Sequence, residues 1–403
     1  MNFNSPASVA AREPPPPPVA ALKFTGENAD FRQLVTTGAA LELVTLGFYR
    51  FWLATRIRAH LWSHTEVDGD ALEYLGTARE LLIGFLVAVA ILAPAYLAYF
   101  LVGVVAESYQ SLASLPLAVC YYGFLQFAIY RGRRYRLNRT MWRGVRFDMD
   151  GSGAAYALKA MGWTVAVFLT LGLLYPWRQA ALERAKMRHT FYGGLRGDFA
   201  GTGAGLFRAL WWLYAAVVAA GASLAALGYL ASQKKVPDGA VVLLALCLVL
   251  ALPFGFAAFR ASEWKWWVDG LRFGPVSASS RINRGDLVGF YWSTLGLLLM
   301  TALFFAAILT GLVGLGYALG LRIAEKGGAP TIVMLVPMAI LYLGFLLTAT
   351  AIVRTYTIQR VWKTVAGSTI LVGLDRMGEV FARDDNVSAV GEGIVDGFDV
   401  LGF

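Results

Sequence analysis

Six stretches of this chain run for about 19 residues or more with almost no charge, close to the ~20 apolar residues a helix needs to cross a bilayer core. They are Leu81–Ala106, Leu112–Tyr130, Leu206–Ala231, Ala240–Arg260, Leu287–Gly320 and Thr331–Val353. Lipid offers no partner for backbone N–H and C=O groups, so only helices and closed barrels stand in it. Stretches this long and rich in Leu and Ala read as helices. The whole chain follows the same trend, with 58% hydrophobic and 15% charged residues. That charged share is well below the ~25% usual for a soluble domain. The expected fold class is an all-α polytopic membrane protein.

Two further apolar segments, Leu34–Trp52 and Ala157–Trp177, are shorter or more polar. Lys and Arg concentrate in residues 50–80, 131–156, 178–205, 261–286 and 354–403, and are sparse in 107–111, 232–239 and 321–330. The positive-inside rule puts the basic group in the cytoplasm. Ala157–Trp177 is then flanked by two basic loops, which one crossing cannot leave on the same side. Both short segments are therefore expected to be re-entrant or interfacial, with a break at Thr45-Leu46-Gly47 and at Thr170-Leu171-Gly172. Six transmembrane helices remain, and both termini are cytoplasmic. The net charge of +9 is explained by these loops, so nucleic acid is not an expected partner. The surroundings are the lipid bilayer, with anionic lipids as the expected polar ligand. Oligomeric state is not written in the sequence.

An ungapped internal repeat runs at an offset of 125 residues. Gly26 matches Gly151, Thr45-Leu46-Gly47 matches Thr170-Leu171-Gly172, and Trp52 matches Trp177. His64-Thr65 matches His189-Thr190, Gly69 matches Gly194, and Gly76-Thr77 matches Gly201-Thr202. A partial copy at offset 75 places Thr140, Gly144, Gly151 and Ser152 on Thr65, Gly69, Gly76 and Thr77. Weaker copies surround Gly270 and Gly367, and a third Thr-Leu-Gly stands at Thr294–Gly296. Asp68-Gly69 is a turn dipeptide, and Leu72 and Tyr74 alternate after it as in a short strand. Each copy reads as a helix end, a small cytoplasmic β-hairpin and entry into the next span. The organisation expected is a disordered Pro-rich tail (1–21), a parallel tandem repeat (22–146 and 147–272), a degenerate third membrane unit (273–354) and a cytoplasmic C-terminal tail (355–403).

These residues resemble the YjgN-like family of bacterial inner-membrane proteins. The stretch that carries the likeness is residues 22–85, with its Phe24-x-Gly26 opening, its Thr-Leu-Gly-x-Tyr-x-x-Trp centre (Thr45 to Trp52) and its His64-Thr65…Gly76-Thr77 close. Residues 147–208 follow the same pattern, with Pro176 ahead of Trp177 and without the tyrosine at the corresponding place. The resemblance implies a bacterial inner-membrane location and brings no activity with it.

Several groups are candidates for chemistry. Glu42 lies inside the first short segment, and a carboxylate at membrane depth is costly enough to suggest a role. With Thr45, Gly47, Thr170 and Gly172 it would line a pathway or re-entrant turn. His60 and His64 share a helix face four residues apart, which is metal-ligand spacing, yet the counterpart of His60 is Ala185 and His189 sits among Arg184, Lys186 and Arg188. His64, Thr65, His189 and Thr190 are better read as pinning the turn by side-chain bonds to backbone. Arg131, Arg133, Arg134 and Arg136 could hold anionic lipid headgroups. Cys120 and Cys247 lie in apolar stretches and make no disulfide or metal pattern. Gly316 and Gly320 form a GxxxG pair suited to close helix contact. Nothing here forms a phosphate loop, a nucleophile elbow or a zinc motif. No cofactor, no metal and no catalytic activity are expected. The sequence favours passage of a small solute or lipid, as in a transporter or channel. The alternative is a non-catalytic membrane organiser that binds anionic lipid or a partner protein through its basic hairpins.

Overall fold

The computed structural model describes residues 19–105, 110–318, 332–377 and residue 380. Helices alternate with short strands in a fixed order. Each strand that leads away from the sheet is followed by two helices, and the second helix delivers the chain to the next strand. The first such unit is β1 (Val19–Phe24), α1 (Asn28–Val44), α2 (Arg50–Ser63) and β2 (Thr65–Val67). After β3 (Asp70–Ala71), the second is β4 (Glu73–Tyr74), α3 (Ala78–Val105), α4 (Gln110–Asn138) and β5 (Thr140–Trp142). The third is β6 (Val145–Met149), α5 (Gly153–Leu169), α6 (Tyr175–Met187) and β7 (Thr190–Tyr192). The fourth is β8 (Leu195–Phe199), α7 (Gly203–Ser232), α8 (Asp238–Gly270) and β9 (Leu271–Phe273). The fifth is β10 (Val276–Ser280), α9 (Arg284–Ala318), α10 (Ile332–Ile352) running through a π-helical turn (Val353–Ile358) into α11 (Gln359–Ser368), and β11 (Thr369–Val372).

All eleven strands form one antiparallel sheet in the order β3-β2-β1-β11-β10-β9-β8-β7-β6-β5-β4. Its two end strands, β3 and β4, are separated in the chain only by Leu72. The sheet is therefore a nearly closed ring. First and last strands meet within it, Val19 opposite Val372 and Ala21 opposite Ile370. Arg143, in the β5–β6 turn, bonds Asp68 at 3.0 Å and Asp70 at 2.5 Å across the incomplete seam. Closure removes exposed edges that would recruit other strands. The chain is mostly helical, as expected, but the small hairpins do not stand singly and pair into one sheet.

One hydrogen bond closes every unit. The residue entering the helix pair donates its N–H to the carbonyl of the residue leaving it: Thr25 to His64, Leu75 to Arg139, Asp150 to His189, Ala200 to Gly270 and Arg281 to Ser368, at 2.7–3.0 Å. A threonine opens β2, β5, β7 and β11, and each donates its hydroxyl to the carbonyl four residues back: Thr65, Thr140, Thr190 and Thr369. These bonds occupy helix-terminal carbonyls that would otherwise lack partners. Two residues after the first three threonines, on the same buried face, come Val67, Trp142 and Tyr192. Their cluster takes in Leu22, Leu72, Phe147, Leu195, Phe273 and Leu371 from around the ring.

Helix starts are equally local in origin. Thr77 and Glu80 form a reciprocal capping box at α3, with Glu80 N–H to Thr77 Oγ1 at 3.4 Å and Thr77 N–H to Glu80 Oε2 at 3.3 Å. Ser152 and Thr202 cap α5 and α7. The glycine before the cap makes room for the strand's last aromatic ring. A Cβ on Gly76 would lie 2.5 Å from Tyr74, and one on Gly201 2.5 Å from Phe199.

Each helix pair leaves the sheet and comes back to it, so both its outer ends lie at the sheet. Five described helices are long and apolar enough to cross a membrane: α3, α7, α8, α9 and the helix from Leu335 through α11. The six crossings expected are thus five by this measure. The pairs α1–α2 and α5–α6 are shorter. With 14 and 13 residues, α2 and α6 rise about 20 Å, against an apolar bilayer thickness near 30 Å. Residues 1–18 of the expected Pro-rich tail, Gly320 and most of the C-terminal tail lie outside the described residues, whereas residues 19–21, expected in that tail, open β1.

Candidate functional site

The short hairpins turn where the Thr-Leu-Gly triplets stand. In the first, Gly47 N–H bonds Glu42 O at 2.7 Å and Leu46 N–H bonds Leu43 O at 3.2 Å, which is the Schellman pattern of helix termination. The second repeats it, Gly172 to Val167 at 2.8 Å and Leu171 to Phe168 at 3.1 Å. The hydroxyls of Thr45 and Thr170 each donate one turn back, to Leu41 O and Ala166 O, and accept from Tyr49 N and Leu174 N. The left-handed position, which favours glycine, is held by leucine in both: Leu46 and Leu171 have φ 51°. Such a conformation costs a non-glycine residue roughly 1–2 kcal/mol. Both leucines point outward, 80% and 94% exposed.

Glu42 is buried one turn before this apex, 4% exposed. Its carboxylate accepts from Arg354 Nη1 at 3.0 and 3.2 Å. Arg354 belongs to the π-helical turn of the fifth unit, where Thr357 also donates to Thr294 at 2.8 Å. The first and fifth units are thus joined inside the bundle. They are joined again at its base, where Trp62 and Trp362 stack with centroids 4.9 Å apart. Trp362 donates to Thr65 Oγ1 and Trp62 to Thr140 Oγ1, both at 2.9 Å.

The remaining sequence candidates divide between turn geometry and the helix base. His64 Nδ1 lies 2.7 Å from the His60 carbonyl, with the two rings 4.2 Å apart. His189 Nδ1 lies instead 2.6 Å from Asp150 Oδ1. Burial, then His64, lowers the His60 pKa below its usual value, and Asp30 opposes them. Gly69 has φ 87° in the β2–β3 turn, and Gly194 stands in the β7–β8 turn with open space around it. Of the four arginines on α4, Arg133 reaches Glu183 of α6 at 3.5 Å.

Glu183 opens onto a polar cavity of about 250 Å³ between α4, α6 and α8, lined by Arg133, Gln179, Glu183, Arg260 and Glu263 and by Trp264, Trp266 and Trp267. Burial on its own would raise the Glu183 pKa; Lys186 and Arg133 outweigh it and hold the group below the usual carboxylate value. Trp267 Nε1 also donates to Glu183 at 3.1 Å. Glu263 accepts from Arg260 at 2.5 Å, from Tyr175 at 3.0 Å and from Gln179 at 2.9 Å. Arg178 bonds Tyr122 at 3.0 Å and Thr164 at 3.2 Å. A second cavity of about 460 Å³ adjoins, walled by Val167, Leu171, Tyr175, Leu210, Tyr214 and Phe259. Tyr175 lines the apolar cleft, and its hydroxyl donates to Glu263, which lines the polar cavity.

A family model described as a bacterial protein of unknown function, DUF898, matches residues 19–397. The chain belongs to this family. Among curated proteins and solved structures, none matches it. DUF898 is the YjgN-like family whose likeness residues 22–85 carry. The DUF898 match starts at the first residue of β1 and takes in every described element. It includes both cavities and the Glu42–Arg354 pair.

Sequence reasoning missed those cavities. Arg354 closes the expected third membrane unit and counts among the basic residues 354–403 that the positive-inside rule assigns to the cytoplasm. Glu183 and Glu263 lie in the basic segments 178–205 and 261–286, which the positive-inside rule reads as cytoplasmic loops. The usable signal was a carboxylate three residues from a cation on one helix, Glu183 with Lys186 and Arg260 with Glu263, which places both on one face.

Proposed function

We propose that this DUF898 chain is an inner-membrane organiser that holds anionic lipid, with its sheet on the cytoplasmic side. The observation that carries this reading is the pair of apex leucines. Leu46 and Leu171 occupy a backbone conformation that glycine would take without strain, and they expose apolar side chains there. Val44 and Phe48 flank one, and Phe168 and Leu169 the other, all exposed. A strained leucine at an exposed tip makes sense where the tip is bathed in lipid. The short hairpins then enter the cytoplasmic leaflet and return. Counting α4 as the return leg of α3, six helices cross, arranged in a repeated strand–helix–helix–strand plan. Basic side chains and tryptophans ring the hairpin bases, as expected for the headgroup level. In this reading β1 and β11, the first and last strands, lie on the cytoplasmic side with the rest of the sheet.

The other reading, passage of a small solute or lipid, draws on the buried Glu42–Arg354 pair, because ion pairs at membrane depth often mark transport paths. One experiment separates the two. Single cysteines replace Leu46 or Leu171 in a chain without Cys120 and Cys247, and a membrane-impermeant thiol reagent is applied from each side of oriented vesicles. The organiser reading expects no labelling from either side, together with thermal stability that rises when anionic lipid is added to zwitterionic nanodiscs. Labelling from the aqueous phase, or stability indifferent to anionic lipid, overturns it.

A further inference from the structure

We infer that the face formed by α4 to α8 is a built site for one anionic phospholipid, with its phosphate in the polar cavity and an acyl chain in the adjoining cleft. This rests on the lipid-binding reading above and assigns it to particular residues. Three independent observations meet here.

The first is polarity along the membrane normal. Glu183 stands four residues before the end of α6, and Trp267 three before the end of α8, so the polar cavity lies at the sheet end of the helices. The cleft contains Leu171 and Gly172 at the hairpin tip, its deep end. Tyr175 and the neighbouring pair Phe259 and Arg260 join the two. A polar pocket at headgroup level that continues into an apolar cleft follows the shape and polarity of a phospholipid. A soluble anion would leave the cleft unfilled.

The second is charge. Arg133 and Arg260 line the polar cavity opposite Glu183 and Glu263, and two further cations stand behind that lining, Lys186 bonded to Glu183 and Arg178 bonded to Gln179. Arg178 hydrogen-bonds neutral oxygens, those of Tyr122, Thr164 and Gln179. The cations behind the lining give the cluster as a whole an excess of positive charge that an anion would balance, and arginine suits phosphate through its forked donors.

The third is an unused donor. Trp264 lines the same cavity, and its buried indole N–H has no acceptor among the described residues. A buried donor without an acceptor costs free energy that a phosphate oxygen would recover.

The test uses the full chain, extracted from vesicles of phosphatidylcholine with or without one-fifth phosphatidylglycerol, with bound lipid counted by native mass spectrometry. Two variants probe the two halves. Arg178→Gln removes a cation whose bonds go to neutral groups, so no carboxylate is stranded. Val217→Trp fills the cleft from an exposed position. The wild type should retain one phosphatidylglycerol in preference to phosphatidylcholine by roughly tenfold, and each variant should lose that preference while keeping the general gain in thermal stability with anionic lipid. Retention unchanged in both variants overturns the site and leaves the organiser reading standing. Equal retention of the two lipids overturns the headgroup assignment. A stability gain from inorganic phosphate alone, equal to that from phosphatidylglycerol, overturns the lipid in favour of a soluble anion. Absence of any anionic-lipid effect in the wild type is a failure of the organiser reading itself.

Discussion

Replacing Arg354 with methionine should be among the most damaging single changes in the bundle, and the reason lies in Glu42. The two side chains are 5% and 14% exposed, and the carboxylate takes both contacts from one guanidinium nitrogen. Bringing two charges out of water is expensive, and their attraction roughly repays it only while both are present. Arg354→Met leaves the carboxylate buried and unpaired, which costs about 3–5 kcal/mol. The backbone of the turn is untouched, because the Glu42 carbonyl keeps its bond from Gly47 N–H. The loss therefore comes from the side chain. In nanodiscs, the thermal unfolding midpoint of the single variant should fall by about 3–6 °C. The double variant Glu42→Leu with Arg354→Met should recover to near the wild type, since replacing both members of a buried pair by apolar groups is often neutral or better. A double-mutant cycle reads the coupling directly. If Arg354→Met melts within about 1 °C of the wild type, or the double variant loses the sum of the two singles, the pair is solvated and the argument fails.

Three further outcomes follow from the same geometry. Leu171→Gly should relieve the left-handed strain and raise stability in detergent by roughly 1 kcal/mol, while Leu171→Asp should impair membrane insertion; equal behaviour of the two variants in membrane extraction would show that the tip does not meet lipid. Thr65→Val removes the bond to Leu61 O and the acceptor for Trp362 Nε1, at a cost of about 1–3 kcal/mol for the stranded indole, measured by thermal unfolding against Trp362→Phe in the same background. His60 has a folded pKa below 6.5, so the unfolded chain binds more protons as pH falls through that value. Stability present above about pH 6.5 should therefore decline below it, and His60→Gln should flatten that part of the pH–stability curve; an unchanged slope would assign it elsewhere.

The helices were legible because their signal is long. A run of apolar residues the length of α7 or α8 admits few alternatives, and the flanking arginines orient it. The breaks at Gly47 and Gly172 were legible too, since the same triplet recurs in the same surroundings. The sheet was not. Its strands have two to six residues, too few for alternation to rise above chance, and β1 pairs with β11 across more than three hundred residues of chain. The partner of Glu42 was hidden for the same reason. Nothing near residue 42 in the sequence points to residue 354, and the two meet only because the ring brings the first and fifth units together. The Gly-Thr pairs stood out as a repeat, but their role as helix caps under an aromatic ring needed Tyr74 and Phe199 to be seen over Gly76 and Gly201.

The ring explains why long and short hairpins can coexist. Each unit is closed at its base by the same backbone bond and by its strands, so the length of the hairpin above is free to vary. The short pair α5–α6 packs between α4 and α7, and α1–α2 between α3 and α10. Beyond each short tip, the neighbouring long helices continue without a helix between them. On the lipid-binding reading proposed above, acyl chains fill that space from the side. The apolar cleft at Leu171 lies at the mouth of one of these gaps, between the tip and α7 and α8. The matching tip at Leu46 is flanked instead by the Glu42–Arg354 pair, which ties the hairpin to the fifth unit. The same scaffold thus presents one tip beside an open cleft and the other clamped by charge. That difference predicts that lipid retained by the chain should depend on the third and fourth units, and that Arg354→Met should weaken the bundle without releasing it.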